Sequence, residues 1–186
     1  MQIKTIQLCC SGTKETLHSL DGQSKICNWA YNNAIECANE LKQEFKETGN
    51  PDIAKILYTK RGLRDRLPSL KKEHPFLKTV HSSPLKNAAL RASNAIQAHQ
   101  KGKKGKRRKE SGWPKFRSWQ SNWFSLLYDE PNKGFKVIGD TLKLSLGTDL
   151  NKKRLFLTLQ LKEAHRLKGY WRAVVNCYKK SKLICN

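Results

Sequence analysis

Hydrophobic positions along this chain change period twice. Residues 2–9 alternate, with Ile6 and Leu8 on one side and Gln7 opposite, which predicts a short strand. Ser11-Gly12-Thr13 reads as a turn, with Thr13 and Thr16 offering capping hydroxyls to the next element. From Lys14 the spacing becomes three and four. Ile26, Ala30, Ala34, Cys37, Leu41 and Phe45 mark one face of a long helix that Thr48-Gly49-Asn50-Pro51 ends. A second helix is expected from Asp52, carrying Ile53, Ile56, Leu57 and Leu63 and stopping near Leu67, before Pro68. Residues 71–77 form a connector with a single turn. A further helix starts at Ser82-Ser83-Pro84, where proline in the first turn costs no hydrogen bond, and Leu85, Ala89, Ala92, Ile96 and His99 form its inner stripe. Beyond residue 118 the period is two. Phe124–Tyr128 reads as a strand, Phe135–Val137 and Leu142–Leu146 flank the hairpin signal Gly139-Asp140-Thr141, Leu155, Leu157, Leu159 and Leu161 alternate cleanly, and Tyr170–Cys177 is a last strand.

That order predicts an α+β fold. A lone first strand is not stable by itself, so it either stays frayed or pairs with the strands at the other end. The second option makes the chain a helical bundle inserted into a small antiparallel β-barrel, which need not be complete. The expected division is 1–12 with 119–186 for the barrel, 13–100 for the helices, and 101–118 as a linker or clamp.

Charge changes the picture more than composition does. The 186 residues hold 37 Lys and Arg against 15 Asp and Glu, a net charge of +22. A hydrophobic share of 38% is enough for a core. The start, Met1-Gln2-Ile3-Lys4, has neither the apolar run nor the small-residue site of a signal peptide, and no run reaches the length of a membrane span. Composition argues against a membrane protein and a neutral metabolic enzyme. It favours a cytoplasmic protein with a polyanionic partner, associated with the nucleoid when bound to DNA.

The densest charge is in residues 101–118, with Lys or Arg at 101, 103, 104, 106, 107, 108, 109, 115 and 117 against one acid, Glu110. Such a stretch cannot fold alone, because its charges repel and it has little to bury. As a clamp, Lys103, Lys104, Lys106, Arg107, Arg108, Lys109, Lys115 and Arg117 would neutralise phosphates and release counterions. Trp113, Phe116, Trp119, Trp123 and Phe124 follow or interleave with the charges. Trp113, Phe116 and Trp119 could stack on bases or support the loop, while Trp123 and Phe124 are expected in the core. The alternative is a solvated linker. Arg61, Arg64 and Arg66 with Lys71 and Lys72 form a second basic set, which could face a nucleic-acid groove or only solvent.

Catalytic chemistry is not legible. Metal-dependent nucleases hold their ions with converging carboxylates, and the acids here fall on helix surfaces and in turns, as Asp129-Glu130 does. The six cysteines, at 9, 10, 27, 37, 177 and 185, have no metal-binding spacing, and Cys27 and Cys37 suit a helix core. No catalytic residue, metal or cofactor is expected in this chain.

Five segments, in order, carry a resemblance. Residues 26–34 (ICNWAYNNA), 70–78 (LKKEHPFLK), 82–90 (SSPLKNAAL), 112–117 (GWPKFR) and 136–144 (KVIGDTLKL) resemble segments of TnpB, the OrfB protein of bacterial insertion sequences. The likeness spans nearly the whole chain at comparable spacing. It implies a wedge-type β-barrel interrupted by a helical recognition domain, as in RNA-guided DNA endonucleases related to type V CRISPR effectors. It also implies partners: a structured guide-type RNA and double-stranded target DNA flanking a short motif. By position, the motif-reading surface falls at Tyr58, Ser82, Lys86 and the loop of Pro131 and Asn132, with Arg61 and Arg64 nearby and Lys86 also on backbone. The departure is the RuvC-like nuclease domain and its zinc ribbon. The tail from Lys179 does not resemble that domain's opening. The resemblance therefore implies a nucleic-acid-binding, truncated transposase-type protein with no nuclease activity of its own. An alternative is the recognition half of a split enzyme completed by a RuvC-like nuclease chain. A third reading is a basic structural or ribosome-associated protein.

Overall fold

Helix α1 (Lys14–Thr48) is the longest element and the one around which the others are arranged. It begins where Thr13 Oγ1 accepts the Thr16 amide at 3.2 Å, and it ends where the Gly49 amide bonds Phe45 O at 2.9 Å. Its buried face is wider than one stripe. Cys27, Tyr31, Ile35 and Ala38 are buried beside Ala30, Ala34, Cys37 and Leu41, while Ile26 and Phe45 are half-buried. Helix α1 is covered from several sides, so a single-face pattern understates it. The computed structural model describes residues 6–106, 111–149, 151–167, 173–178 and 182–185.

The helix expected from residue 52 to 67 ends at Tyr58, and another begins at Leu67 and takes up the first residues of the expected 71–77 connector. Helix α2 (Pro51–Tyr58) starts at Asn50, whose Oδ1 accepts the Asp52 amide at 2.9 Å. The chain then folds back on itself. A Cβ on Gly62 would lie 1.9 Å from Ile56 O, so only glycine allows this close return. A 3-10 turn at Arg64–Arg66 leads into α3 (Leu67–Glu73). Pro68 therefore opens a helix instead of closing one, because its missing N–H falls in the first turn. A second 3-10 turn (Pro75–Thr79) leads to α4 (Ser82–Lys103), whose amide at Ser83 bonds His81 Nδ1 at 3.2 Å. Leu85, Ala89, Ala92 and Ile96 are buried as expected. Alanines at 30, 34 and 38 on α1 and at 88, 89 and 92 on α4 are all buried in the same core, which lets the two helices pack closely.

The strands are β1 (Leu8–Ser11), β2 (Leu126–Tyr128), β3 (Phe135–Ile138), β4 (Thr141–Thr148), β5 (Arg154–Leu161), β6 (Ala173–Tyr178) and β7 (Lys182–Cys185). They form one antiparallel sheet in the order β2-β6-β7-β1-β5-β4-β3. Cys10 pairs with Leu161 on one side and Leu183 on the other, so the first strand lies inside the sheet and the helices are an insertion between it and the rest. Two details differ from expectation. The first strand, expected at 2–9, starts at Leu8 and runs through Ser11, the first residue of the expected turn; residues 2–5 of that expectation lie outside the described residues. Strand β7 has no clear alternation and was not expected.

The hairpin at Gly139-Asp140 pairs Ile138 with Thr141 and Phe135 with Leu144. Alternation places Leu142, Leu144, Leu146, Leu157, Leu159 and Leu161 on the inner face with Leu126, Tyr128, Phe135 and Val175. The register of β4 on β5 shifts between Ser145 and Gly147. Gly147 has φ +131° and meets the Pro75–Thr79 turn so closely that a Cβ would lie 2.4 Å from Lys78 O. Among the described residues β2 and β3 do not pair with each other, so the α+β fold carries an open, not a closed, sheet. No described helix is long and apolar enough to cross a membrane.

Candidate nucleic-acid interface

The basic stretch is not a free loop where it is described. Its first part continues α4 to Lys103, with Gly102 buried. Its second part, from residue 111, opens a strap that runs on to residue 124, antiparallel along α1. Asp21, Ser24, Asn28, Asn32 and Asn39 recur on α1 at spacings that place them on one line of the helix surface. Each bonds the strap. Trp113 Nε1 donates to Asn39 Oδ1 at 2.7 Å. The Arg117 amide donates to Asn32 Oδ1 at 2.8 Å, and Arg117 O accepts from Asn32 Nδ2 at 3.0 Å and Asn28 Nδ2 at 3.1 Å. Ser24 Oγ accepts Trp119 Nε1 at 3.1 Å and the Phe124 amide at 2.8 Å, and Trp123 Nε1 donates to Asp21 Oδ1 at 2.7 Å. At the far end His99 Nδ1 lies 2.7 Å from Ser111 O. A segment without helix or sheet partners needs its polar groups satisfied, and side chains of α1 bond the Arg117 N–H and C=O and the Phe124 N–H.

This arrangement changes the roles expected of the aromatic residues. Trp113 and Trp119 are anchors as well as supports for charge. Their indole N–H groups are committed to α1, and Lys42 Nζ and Lys25 Nζ sit 3.9 Å and 4.3 Å from their ring centres. Phe124 is fully buried and Trp123 half-buried, both packed with the core. Phe116 is the exception, with 60% of its surface exposed next to exposed Lys115.

Lys103, Lys104 and Lys106 are exposed at the end of α4. Arg107, Arg108 and Lys109 lie outside the described residues. Arg117 is half-buried, with its guanidinium 5.0 Å from the Phe124 ring centre and 5.8 Å from that of Tyr31. Lys42 has its pKa lowered by partial burial and by the like charges of Lys46 and Lys103. Burial pushes the Tyr31 hydroxyl up against the opposing pull of Arg117.

The residues expected to read a flanking motif fall in two places. Ser82 and Lys86 lie on the first turns of α4, and the loop of residues 129–134 reaches them. Lys86 Nζ is 3.7 Å from Glu130 Oε1, and a Cβ on Gly134 would lie 3.0 Å from His81 Cε1. Asn132 sits exposed on that loop with its amide bonded to Phe135 O at 2.7 Å. Lys71 belongs to the same corner, its pKa lowered by burial and by Lys86. Tyr58 is elsewhere. Its carbonyl accepts Gln97 Nε2 at 3.1 Å, about three helical turns or roughly 16 Å from Lys86 along α4. Arg61 is exposed just after α2, and Arg64 is paired with Asp65 at 2.7 Å. The geometry thus gathers Ser82, Lys86 and Asn132 and leaves Tyr58, Arg61 and Arg64 as a separate group.

Sequence reasoning missed the α1 residues that hold the strap, together with Lys25, Lys42 and Arg91. One signal was available: Ser24 and Asn28 occupy inward positions of a helix whose other inward residues, Gln23 apart, are apolar. Among the described residues no group of histidines, cysteines and acids is placed to hold a metal ion. No protein-family model and no curated protein sequence matches this chain.

Proposed function

We propose that this chain is a nucleic-acid-binding module without nuclease activity of its own. Its ligands are a structured, guide-type RNA and the double-stranded DNA next to a target, as the resemblance to TnpB implies. The observation that carries the reading is unbalanced charge fixed on a rigid support. The chain has a net charge of +22, yet the described residues form three ion pairs: Arg64–Asp65, Lys86–Glu130 and Arg166–Glu163. Among the described residues Lys103, Lys104, Lys106 and Lys115 have no carboxylate partner, and they sit at or beside the strap, where phosphates can supply the anions. Exposed Phe116 offers a ring for an unpaired base within this field.

The test is binding to labelled RNA over a range of salt. Neutralising six to ten phosphates lowers affinity on the order of a thousandfold between 50 and 200 mM salt. Changing Lys106, Arg107, Arg108 and Lys109 together to Ala removes four contacts and should flatten that slope. A flat response in the unaltered chain refutes the function, and an unchanged slope in the variant removes these four from the interface. Sequencing the RNA that co-purifies from the host separates one structured species from a sample that merely follows abundance, as a ribosome-associated protein would give.

A further inference from the structure

Among the described residues one pair of arginines meets at a single buried aromatic ring. Arg91 projects from the middle of α4 and is half-buried. Its guanidinium lies 4.7 Å from the ring centre of Phe124, and Nη2 donates to Ser125 Oγ at 2.8 Å. Arg117 reaches the same ring from the strap, at 5.0 Å. Neither takes part in any of the three ion pairs of the described residues. Arg91 has its pKa held below the ordinary arginine range by burial and by the positive charge of Arg117.

A guanidinium drawn partly away from water is costly unless an anion or hydrogen-bond acceptors compensate it. Here two converge on one aromatic ring. Each is also held in place. The Arg117 backbone is fixed by Asn28 and Asn32, and the Arg91 fork by Ser125 and by the Phe124 ring. Planar guanidinium groups fixed in this way are suited to a tetrahedral oxyanion, which each can meet with two parallel N–H donors.

We propose that Arg91 and Arg117 form a specific phosphate site over Phe124, and that its ligand is a phosphodiester of the bound nucleic acid. The choice of phosphodiester rests on the function proposed above; the site itself does not. Both arginines lie on the junction between α4 and the strap, so occupation would tie those two elements together as the backbone binds.

The experiment compares the full chain with Arg91→Met, Arg117→Met, Arg91→Lys and, as a control for loss of one surface charge, Lys162→Met, a change at an exposed residue. Two quantities are read: affinity for a short fluorescein-labelled RNA hairpin, and thermal stability without RNA in chloride or in inorganic phosphate at equal ionic strength. The site predicts a loss of affinity of about tenfold or more for each Arg→Met change and a clear loss for Arg91→Lys, which keeps charge but not the fork. It also predicts that Arg91→Met is as stable as the unaltered chain, or more so, in chloride, since a repulsive buried charge is gone. A structural arginine would give the reverse: lower stability and unchanged affinity. If the Arg→Met variants bind the hairpin no worse than Lys162→Met, the phosphate site is overturned while the nucleic-acid function stands. If the unaltered chain does not bind the hairpin, the function falls, and the melting arm decides the site. A rise in phosphate that Arg91→Met abolishes assigns it to free phosphate, and no rise refutes it.

Discussion

Ser24→Ala is the sharpest test of the strap. The Ser24 oxygen is fully buried and accepts two donors, the Phe124 amide at 2.8 Å and Trp119 Nε1 at 3.1 Å. Removing it leaves both without that acceptor. The Phe124 amide bond is buried, so its loss should carry the full penalty of an unpaired donor, about 1–3 kcal/mol. The Trp119 indole is part-buried and water can reach it, so it should add about 0.5–1 kcal/mol. The expected destabilisation is therefore about 1.5–4 kcal/mol, which at this chain length lowers Tm by roughly 3–16 °C. Urea unfolding followed by tryptophan fluorescence measures it. A second variant isolates the mechanism. Trp119→Phe removes one of the two donors, so the double variant Ser24→Ala/Trp119→Phe should be less destabilised than the sum of the singles by about 0.5 kcal/mol or more. Limited trypsin digestion supplies a local readout, since a loosened strap exposes the bonds after Lys115 and Arg117. A Ser24→Ala loss below about 0.5 kcal/mol, within the range of ordinary surface changes, would refute the claim that α1 holds the strap.

Three other parts of the molecule give testable outcomes. Gly147→Ala should cost roughly 3 kcal/mol or more by urea unfolding, because the new methyl would lie 2.4 Å from Lys78 O at a φ of +131°; near-wild-type stability would mean that the bulge does not rest on the 3-10 turn. His81 has its pKa lowered, first by burial, with Lys71 and Lys86 adding to the shift and Glu130 and Asp129 opposing it. The unfolded chain therefore binds the proton more readily, so stability should fall as pH drops below the ordinary histidine value and level off once pH is below the folded value. His81→Asn keeps a capping acceptor for Ser83 and should flatten that part of the profile; an unchanged profile would assign the pH dependence elsewhere. Burial pushes the Cys27 thiol up to about 12 despite nearby Arg91, so a thiol reagent at pH 8 should leave Cys27 unmodified until the chain is unfolded, as mapped by mass spectrometry.

How much of this was legible depends on where each determinant lies. The ends of α1 were, because Thr13 and Gly49 act on their own neighbours. The alternating leucines of β4 and β5 were, because one buried face imposes a period of two. The interruption after Tyr58 was not. Gly62 looks like any glycine in a helical pattern until its closeness to Ile56 O is known, and Pro68 can either end or open a helix. The tryptophans of the strap were visible as aromatics among charges, which suggested stacking. Their indole bonds depend on Asp21, Ser24 and Asn39, far away in sequence, and periodicity can place those residues on a line without saying what lies against it. Arg91 reads as one more basic residue on a helix, and only its proximity to Phe124 and Arg117 sets it apart.

The position of β1 also imposes an order in time. Its residues leave the ribosome before the rest of the sheet, yet Cys10 pairs with Leu161 and Leu183, which are made much later. At ordinary synthesis rates that is a wait of roughly 10–30 s. Helices α1 to α4 and the strap are complete well before it ends, so the strap can lock onto α1 while the first strand has no partner. The sheet is finished only when the last strands arrive to enclose the first. A nascent chain stalled before residue 150 should therefore show the helical part protected from protease and the segment around Cys10 cleavable.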